Sequence, residues 1–301
     1  MRILISGGSG LVGARLASVL REHGHAVGRL VRPGGTPSAG DVPWDPIEAK
    51  IDAAALEGTD AFVHLGGSNI GEGRWTSARK AILRSSRVDS TRVLVNAMAR
   101  LRQKPKVFVC ASATGYYGDR GDEILTEQSN SGTDFLALVA RDWEGEAARA
   151  EQSGIRTVRL RYGVILATAG GALPRMVTPF RFGVGGRFGS GRQWMSWVTL
   201  EDAVEVTRLA IVNETLSGPV NVVAPEPLRN SDFTRVLAKT LHRPAIFPAP
   251  AFALRLALGE MADPLLLSSQ RVKPEKLLAM NYSFRAVDLA AALAEMLAPR
   301  N

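Results

Sequence analysis

Residues 2–13 read Arg2-Ile3-Leu4-Ile5-Ser6-Gly7-Gly8-Ser9-Gly10-Leu11-Val12-Gly13. A short apolar run therefore passes straight into a G-x-x-G-x-x-G turn. Leu11, Leu16, Val19 and Leu20 then recur at helical spacing as far as Gly24. A second apolar run, Ala26-Val27-Gly28-Arg29-Leu30-Val31, completes a strand–helix–strand unit. In such a unit Gly7 permits the tight turn and Gly10 lets the backbone approach a pyrophosphate. Gly13 lets the helix lie close on the strand. The start of the helix offers unpaired N–H groups and a partial positive charge to the diphosphate. Gly7, Ser9, Gly10, Leu11 and Val12 are thus the expected contacts of a bound dinucleotide. Met1-Arg2 before an apolar stretch also opens secretory signals. Here no small-residue cleavage site follows, and Glu22, His23 and His25 interrupt the pattern.

The whole sequence, 301 residues with 46% hydrophobic and 22% charged content, is that of a globular protein with room for a large core. No uncharged apolar stretch is long enough to span a bilayer, so no membrane association is expected. Cys110 is the single cysteine, which excludes an internal disulfide and fits a reducing, cytoplasmic setting. His23, His25, His64 and His242 are scattered, and no metal site is expected. The formal net charge is +8. Its arginines are interspersed with acidic residues, with no dense basic run or aromatic-basic motif, so nucleic acid is not an expected partner. The expected partner is a small-molecule substrate, an anionic one included, bound by a monomer or homodimer.

Strand-like runs at 2–6, 26–31, 61–65, 107–111 and 157–161 alternate with helical patterns at 11–22, 78–102 and 134–152. This alternation predicts an α/β fold, a Rossmann-type doubly wound parallel sheet, with ligands at the strands' C-terminal edge. After about residue 165 glycine-rich loops dominate, followed by a helix near 200–213, a strand at 220–223 and a helix near 230–241. A Pro-rich connector at 244–250 leads to a final helical segment ending near Leu297. The expected division is a dinucleotide-binding domain over 1–165 and a smaller substrate-side α/β lobe over 166–301.

Arg32 follows the second strand, where NAD-specific folds usually place a carboxylate for the adenosine ribose. A guanidinium cannot accept from a ribose hydroxyl, but it can grip a 2′-phosphate, so NADP(H) is the expected cofactor. His64-Leu65-Gly66-Gly67 ends a strand with small residues against which a cofactor can lie. Lys80, Arg84 and Arg87 share one helical face, and Arg87 could reach inward to a phosphate or carboxylate. Ala111-Ser112-Ala113-Thr114-Gly115-Tyr116-Tyr117-Gly118 follows another strand. Its hydroxyls are placed to bind a substrate oxygen and to donate or remove a proton.

On these residues the chain resembles the extended short-chain dehydrogenase/reductase superfamily, of the epimerase/dehydratase type. More narrowly it resembles an atypical "epimerase family protein" branch with a conserved C-terminal domain, here at about 245–297. Further matching elements are Arg74-Trp75, Ser86-Arg87, Asp142-Trp143-Glu144, Arg161-Tyr162-Gly163, Gly189-Ser190-Gly191-Arg192-Gln193 and Ser269-Gln270-Arg271-Val272. The resemblance implies NADP(H) bound by Arg32, Leu65, Gly66, Arg87 and Ala111 together with the glycine turn. It also implies that Ser112 matches the catalytic serine. The Tyr-x-x-x-Lys pair of the wider superfamily is missing: the helix following Asp134 holds neither residue, and no lysine lies between Lys106 and Lys239.

The leading expectation is an NADP(H)-dependent oxidoreductase for a small carbonyl or alcohol. Ser112 with Tyr116 or Tyr117 would surround the nicotinamide end. The loop Gly183–Trp197 would face the cofactor across a cleft, with Arg192 and Gln193 as donors. A nucleotide-sugar epimerase or dehydratase, and a catalytically silent NADPH-binding sensor, are the alternatives.

Overall fold

The computed structural model describes residues 1–298. The alternating pattern builds β1 (Arg2–Ser6), α1 (Leu11–Glu22), β2 (Ala26–Val31), β3 (Val42–Asp45), β4 (Lys50–Ile51), α2 (Ala53–Leu56) and β5 (Ala61–His64). There follow α3 (Ser77–Arg100), β6 (Val107–Ala113), β7 (Ile124–Leu125), α4 (Phe135–Ala148), β8 (Arg156–Tyr162), β9 (Val164–Leu166) and α5 (Ala172–Arg181). The remainder comprises β10 (Trp194–Met195), β11 (Trp197–Thr199), α6 (Leu200–Val212), β12 (Gly218–Val222), β13 (Leu228–Arg229), α7 (Asn230–Thr240), α8 (Ala251–Leu258), β14 (Arg271–Val272), α9 (Glu275–Ala279) and α10 (Leu289–Leu297). Helices α3 and α4 begin where a side chain can accept from the first turn: Thr76 accepts from Arg79 N, and Asp134 from Ala137 N.

Eight strands form the main sheet in the order β12-β8-β6-β5-β1-β2-β3-β4. Every pairing is parallel except β3 with β4 at one edge. The chain leaves β1 toward β2 and returns on its other side as β5, so the glycine turn sits where the strand order reverses. Ligands bind at that point in open parallel sheets. The inner strands are wholly covered: Ile3, Leu4, Ile5, Phe62, Val63, Phe108 and Val109 are at most 1% exposed. Each such side chain contributes roughly 1.5–3 kcal/mol when buried, which is why these runs read as continuous rather than alternating. Helices α1 and α6 pack together, as do α3 and α4.

Strand β12 comes from beyond residue 165 yet completes the main sheet beside β8. The sheet therefore draws on both sides of the boundary expected there. A second core gathers Leu173, Val177, Phe180, Trp197, Phe233, Leu237 and Leu293 from α5, β11, α7 and α10. The last segment is tied back by β14, which pairs with β7, and by the buried Asp202 carboxylate. That carboxylate accepts from the Tyr282 hydroxyl and from Arg285 and Ala286 N–H groups. Among the described residues no helix is long and apolar enough to cross a membrane. No group of three His, Cys, Asp or Glu among them could hold a metal.

Candidate functional site

The turn after β1 is shaped by contacts that only glycine allows. Gly7 has φ +70°, and a Cβ there would lie 2.8 Å from the Leu65 carbonyl carbon and 2.9 Å from Gly66 N. The ends of β1 and β5 thus touch, backbone to backbone. A Cβ on Gly13 would overlap the Gly7 carbonyl oxygen. Gly10 N donates to Gly7 O at 3.0 Å, which folds the turn, and Gly10 then caps α1 without any side-chain bond. The first turn of α1 carries no acidic residue. Ser9 is exposed, and Leu11 and Val12 are half-buried. Leu11 also meets the loop after β9, since a Cβ on Gly171 would lie 3.3 Å from its Cδ2. The residues present fit a diphosphate: a tight cradle, an uncapped helix start and no competing anion.

Beyond β2 and β3 lies an open hollow of about 550 Å3, lined by Arg32, Pro33, Trp44, Asp45 and Lys50 among others. Arg32 is exposed and has no ion-pair partner among the described residues. Arg29, three residues earlier, is committed instead. It pairs with Asp41 at 2.6 Å, and Asp41 also accepts from Arg29 N and Ser38 N. Lys50 was not foreseen. It reaches the hollow because β4 turns back beside β3, and that short Pro-containing hairpin leaves little periodic signal.

At the end of β5, His64 joins three elements. Its Nδ1 meets Ser6 Oγ and its Nε2 lies 3.1 Å from Ser90 Oγ. Burial, with the nearby Arg87 charge, pushes its pKa down to about 4, so the ring is neutral and structural. Leu65 N donates to Ser6 O at 3.1 Å, and Gly66 follows half-buried. Arg87 lies beneath this loop. It donates to Ser68 O at 3.0 Å and Leu83 O at 3.1 Å, and rests over the Trp143 ring. Burial, and then Arg79, lower its pKa to about 10. Arg87 is a support for the 66–68 backbone. Its helix neighbours face other elements, Lys80 meeting Glu260 and Arg84 meeting Asp142, each at 2.9 Å.

Ala111, Ser112, Tyr116 and Tyr117 end β6 and the short 3-10 turn after it. Ser112 Oγ donates to Glu144 Oε1 at 2.7 Å from a nearly buried position. Glu144, on the sheet-facing side of α4, is gripped by Arg161 through two bonds of 2.7 Å. Arg161 also donates to the Tyr117 hydroxyl at 2.9 Å, and that hydroxyl lies 2.6 Å from Asn221 Oδ1. Tyr117 is 0% exposed. Burial pushes its pKa up to about 12. This corrects the expectation that all three hydroxyls surround one open centre. Ser112 and Tyr117 belong to an interior network, because a buried arginine–carboxylate pair needs every available donor and acceptor. Tyr116 is half-buried, its ring 3.6 Å from the Arg161 guanidinium carbon. Glu144 and Arg161 stood in quoted motifs without a role. Ion-pair partners seventeen residues apart on different elements leave no local signal.

A cleft of about 60 Å3 opens beside Thr114, past the C-terminal ends of β6 and β8. Val164, Met176, Phe188, Met195 and Leu265 supply its walls. Part of the loop 183–197 therefore lines it, through Phe188, Trp194, Met195 and Ser196. Gln193 does not: its amide donates to Phe188 O and Leu266 O, stitching two loops together. Arg192 points outward and is exposed. Thr114, rather than Ser112, brings a hydroxyl to the cleft.

The family model described as NAD dependent epimerase/dehydratase family matches residues 3–223, and DUF1731, a domain of unknown function, matches residues 249–296. Epimerase family protein ML0860 of Mycobacterium leprae is 41% identical over 97% of this chain and 94% of its own length. Epimerase family protein YfhF of Bacillus subtilis is 39% identical over 100% of this chain and 99% of its own. The crystal structure of human epimerase family protein SDR39U1 with NADPH superposes with a TM-score of 0.90. It shares 32% identity and covers 98% of this chain and 99% of that one.

Proposed function

This chain belongs to the NAD dependent epimerase/dehydratase family, and on that premise we propose that it is an NADP(H)-dependent oxidoreductase interconverting a small carbonyl compound and its alcohol. The observation that carries the reading is the uncapped glycine turn at the sheet's reversal point, with the unpaired Arg32 at the hollow beside it. The NADPH in the human relative's structure supports it.

In this reading the Leu11, Val12 and Gly13 amides hold the diphosphate, and Arg32 with Lys50 holds the 2′-phosphate. The Leu65–Gly66 backbone lines the path toward the cleft. When bound, NADPH supplies a hydride. The protein supplies position, a dry wall and a proton donor. Tyr116 is the tyrosine left for that last role, since Tyr117 is sealed inside. Helix α4 carries no Tyr-x-x-x-Lys pair, and its buried polar residue is a carboxylate, Glu144. That favours the direction of carbonyl reduction, where a tyrosine need only donate a proton, over sugar epimerisation, whose turnover always includes an oxidation that needs a base.

The test is NADPH consumption with benzaldehyde as probe. Tyr116→Phe should lower kcat by about 100-fold, the lower range for losing a general acid, with NADPH affinity unchanged. Tyr117→Phe should act on folding stability instead. An unaltered kcat in Tyr116→Phe would remove Tyr116 from the mechanism. A second reading, a silent NADPH-binding protein, is favoured by the commitment of Ser112 and Tyr117 to the interior. It requires NADPH binding with no turnover of any carbonyl probe.

A further inference from the structure

The cleft beside Thr114 is walled more by carbon and sulfur than by polar atoms. Val164, Met176, Phe188, Met195, Leu265 and Leu266 face it, and no Lys, Arg, His, Asp or Glu is among its lining residues. Five side chains with polar atoms also border it, and three of them are spent: the Trp194 indole N–H donates to Asp122 Oδ1 at 2.7 Å. Ser196 Oγ donates to Gln270 O at 2.8 Å and accepts from Val272 N at 3.0 Å. Ser268 Oγ donates to Asp263 O at 2.9 Å. The Thr114 hydroxyl and the Gln270 amide make no hydrogen bond with the described residues. They are the free polar side chains of a mainly apolar space.

No cation is part of the lining. Arg161 is bonded twice to Glu144, and Arg229 pairs with Asp122 at 3.0 Å. Arg271 makes no ion pair among the described residues; it stacks 4.4 Å from the ring centroid of Trp194, a lining residue, without itself lining the cleft. An anionic substrate would thus be stripped of water with no counter-charge among the residues that line the cleft, a large cost. A sugar diphosphate would meet the same wall.

We propose that the substrate is an uncharged, compact, mainly apolar aldehyde or ketone, its oxygen held by Thr114 and Gln270; this rests on the oxidoreductase reading above. A cleft of about 60 Å3 holds only a few water-sized groups, at roughly 10–15 Å3 each, which sets the scale of the part enclosed. In the forward step a hydride adds to the carbonyl carbon. The C=O π pair moves to oxygen, and oxygen takes a proton from Tyr116, the donor proposed above, which solvent then reprotonates. Aldehyde, NADPH and H+ become alcohol and NADP+.

The experiment first titrates NADPH, then tests the NADPH-loaded protein with matched probes. The pairs are benzaldehyde with 4-carboxybenzaldehyde, and cyclohexanone with 4-oxocyclohexanecarboxylate. Binding is read by saturation-transfer NMR and turnover by loss of NADPH absorbance. The neutral member of each pair should bind at least about tenfold tighter. Thr114→Val should weaken the neutral probes by about tenfold, the loss of one hydrogen bond to a buried oxygen. Met195→Arg, or Met176→Arg if the first does not fold, should reverse the preference toward the carboxylates. Carboxylates binding as well as their neutral partners overturns the proposal, as does failure of every neutral probe to bind. Failure of NADPH itself to bind overturns the oxidoreductase reading instead.

Discussion

Arg161→Met is expected to cost this protein about 3–5 kcal/mol of folding stability, the range for breaking a buried ion pair on one side. Arg161 is 3% exposed on β8, which lies between β12 and β6 in the main sheet. Its guanidinium meets both oxygens of Glu144, the Tyr117 hydroxyl and the Glu127 carbonyl. Methionine fills much of the same volume but leaves the Glu144 carboxylate buried with only Ser112 as donor. Part of the network's gross attraction only offsets its own desolvation, so removing both charges is far milder than removing one. The double variant Arg161→Met, Glu144→Leu should therefore recover most of the loss. Urea unfolding midpoints of the three proteins decide this. A single variant within about 1 kcal/mol of wild type, the scale of one ordinary hydrogen bond, would falsify the assignment of this network as a main tie between α4 and the sheet. Glu144→Gln, which keeps shape and loses charge, serves if Arg161→Met does not fold.

Gly13→Val should abolish measurable dinucleotide binding, a loss of more than about a hundredfold, or some 2.7 kcal/mol. The first added carbon already overlaps the Gly7 carbonyl oxygen, and the same carbon would lie 2.9 Å from Gly8 Cα. Neither atom is the end of a flexible side chain. The turn must open or α1 must leave β1, and either movement carries the helix N–H groups away from the diphosphate position. Gly145→Ala is the control. In α4 its added Cβ meets nothing within 4 Å, and helix propensity favours alanine by about 0.5–1 kcal/mol. That variant should be as stable as wild type or more so and should bind NADPH normally. Isothermal titration with far-UV circular dichroism separates lost binding from lost fold.

The parallel sheet was legible because its inner strands are buried on both faces and read as unbroken runs, such as Ile3-Leu4-Ile5 and Val107-Phe108-Val109. The glycine turn was legible because steric demand at Gly7 and Gly13 leaves glycine no substitute. The hairpin β3–β4 was not, since four residues with Pro43 among them set up no period. The return of β12 to the main sheet was foreseen as a strand but not as part of that sheet. Parallel neighbours such as Asn221 and Arg161 are paired by topology, not by anything near them in sequence. The hydroxyls after β6 were recognised as chemistry-bearing, yet their allotment was invisible. Ser112 and Tyr117 turn inward because Glu144 and Arg161 await them there. Thr114 is left to the cleft. Composition points to none of this, because a single arginine buried among thirty-seven basic residues has no compositional mark.

The central claim is that the turn after β1 and the arginine after β2 together select NADP(H). A 2′-phosphate facing Arg32 gains a charge-assisted contact of roughly 1.5–3 kcal/mol, or about ten- to a hundredfold in affinity. The 2′-hydroxyl of NADH has no charge to offer Arg32, and the carboxylates around the hollow are engaged: Asp41 is held by Arg29, Asp45 accepts from the Ile47 and Glu48 N–H groups and Asp52 from the Ala54 N–H. The measurement is the dissociation constant of NADPH and of NADH, each by fluorescence titration against wild type and Arg32→Ala. The account expects NADPH to bind wild type at least about tenfold tighter, with most of that margin lost in the variant while NADH affinity stays put. Equal affinities for the two cofactors in the wild-type protein would contradict it.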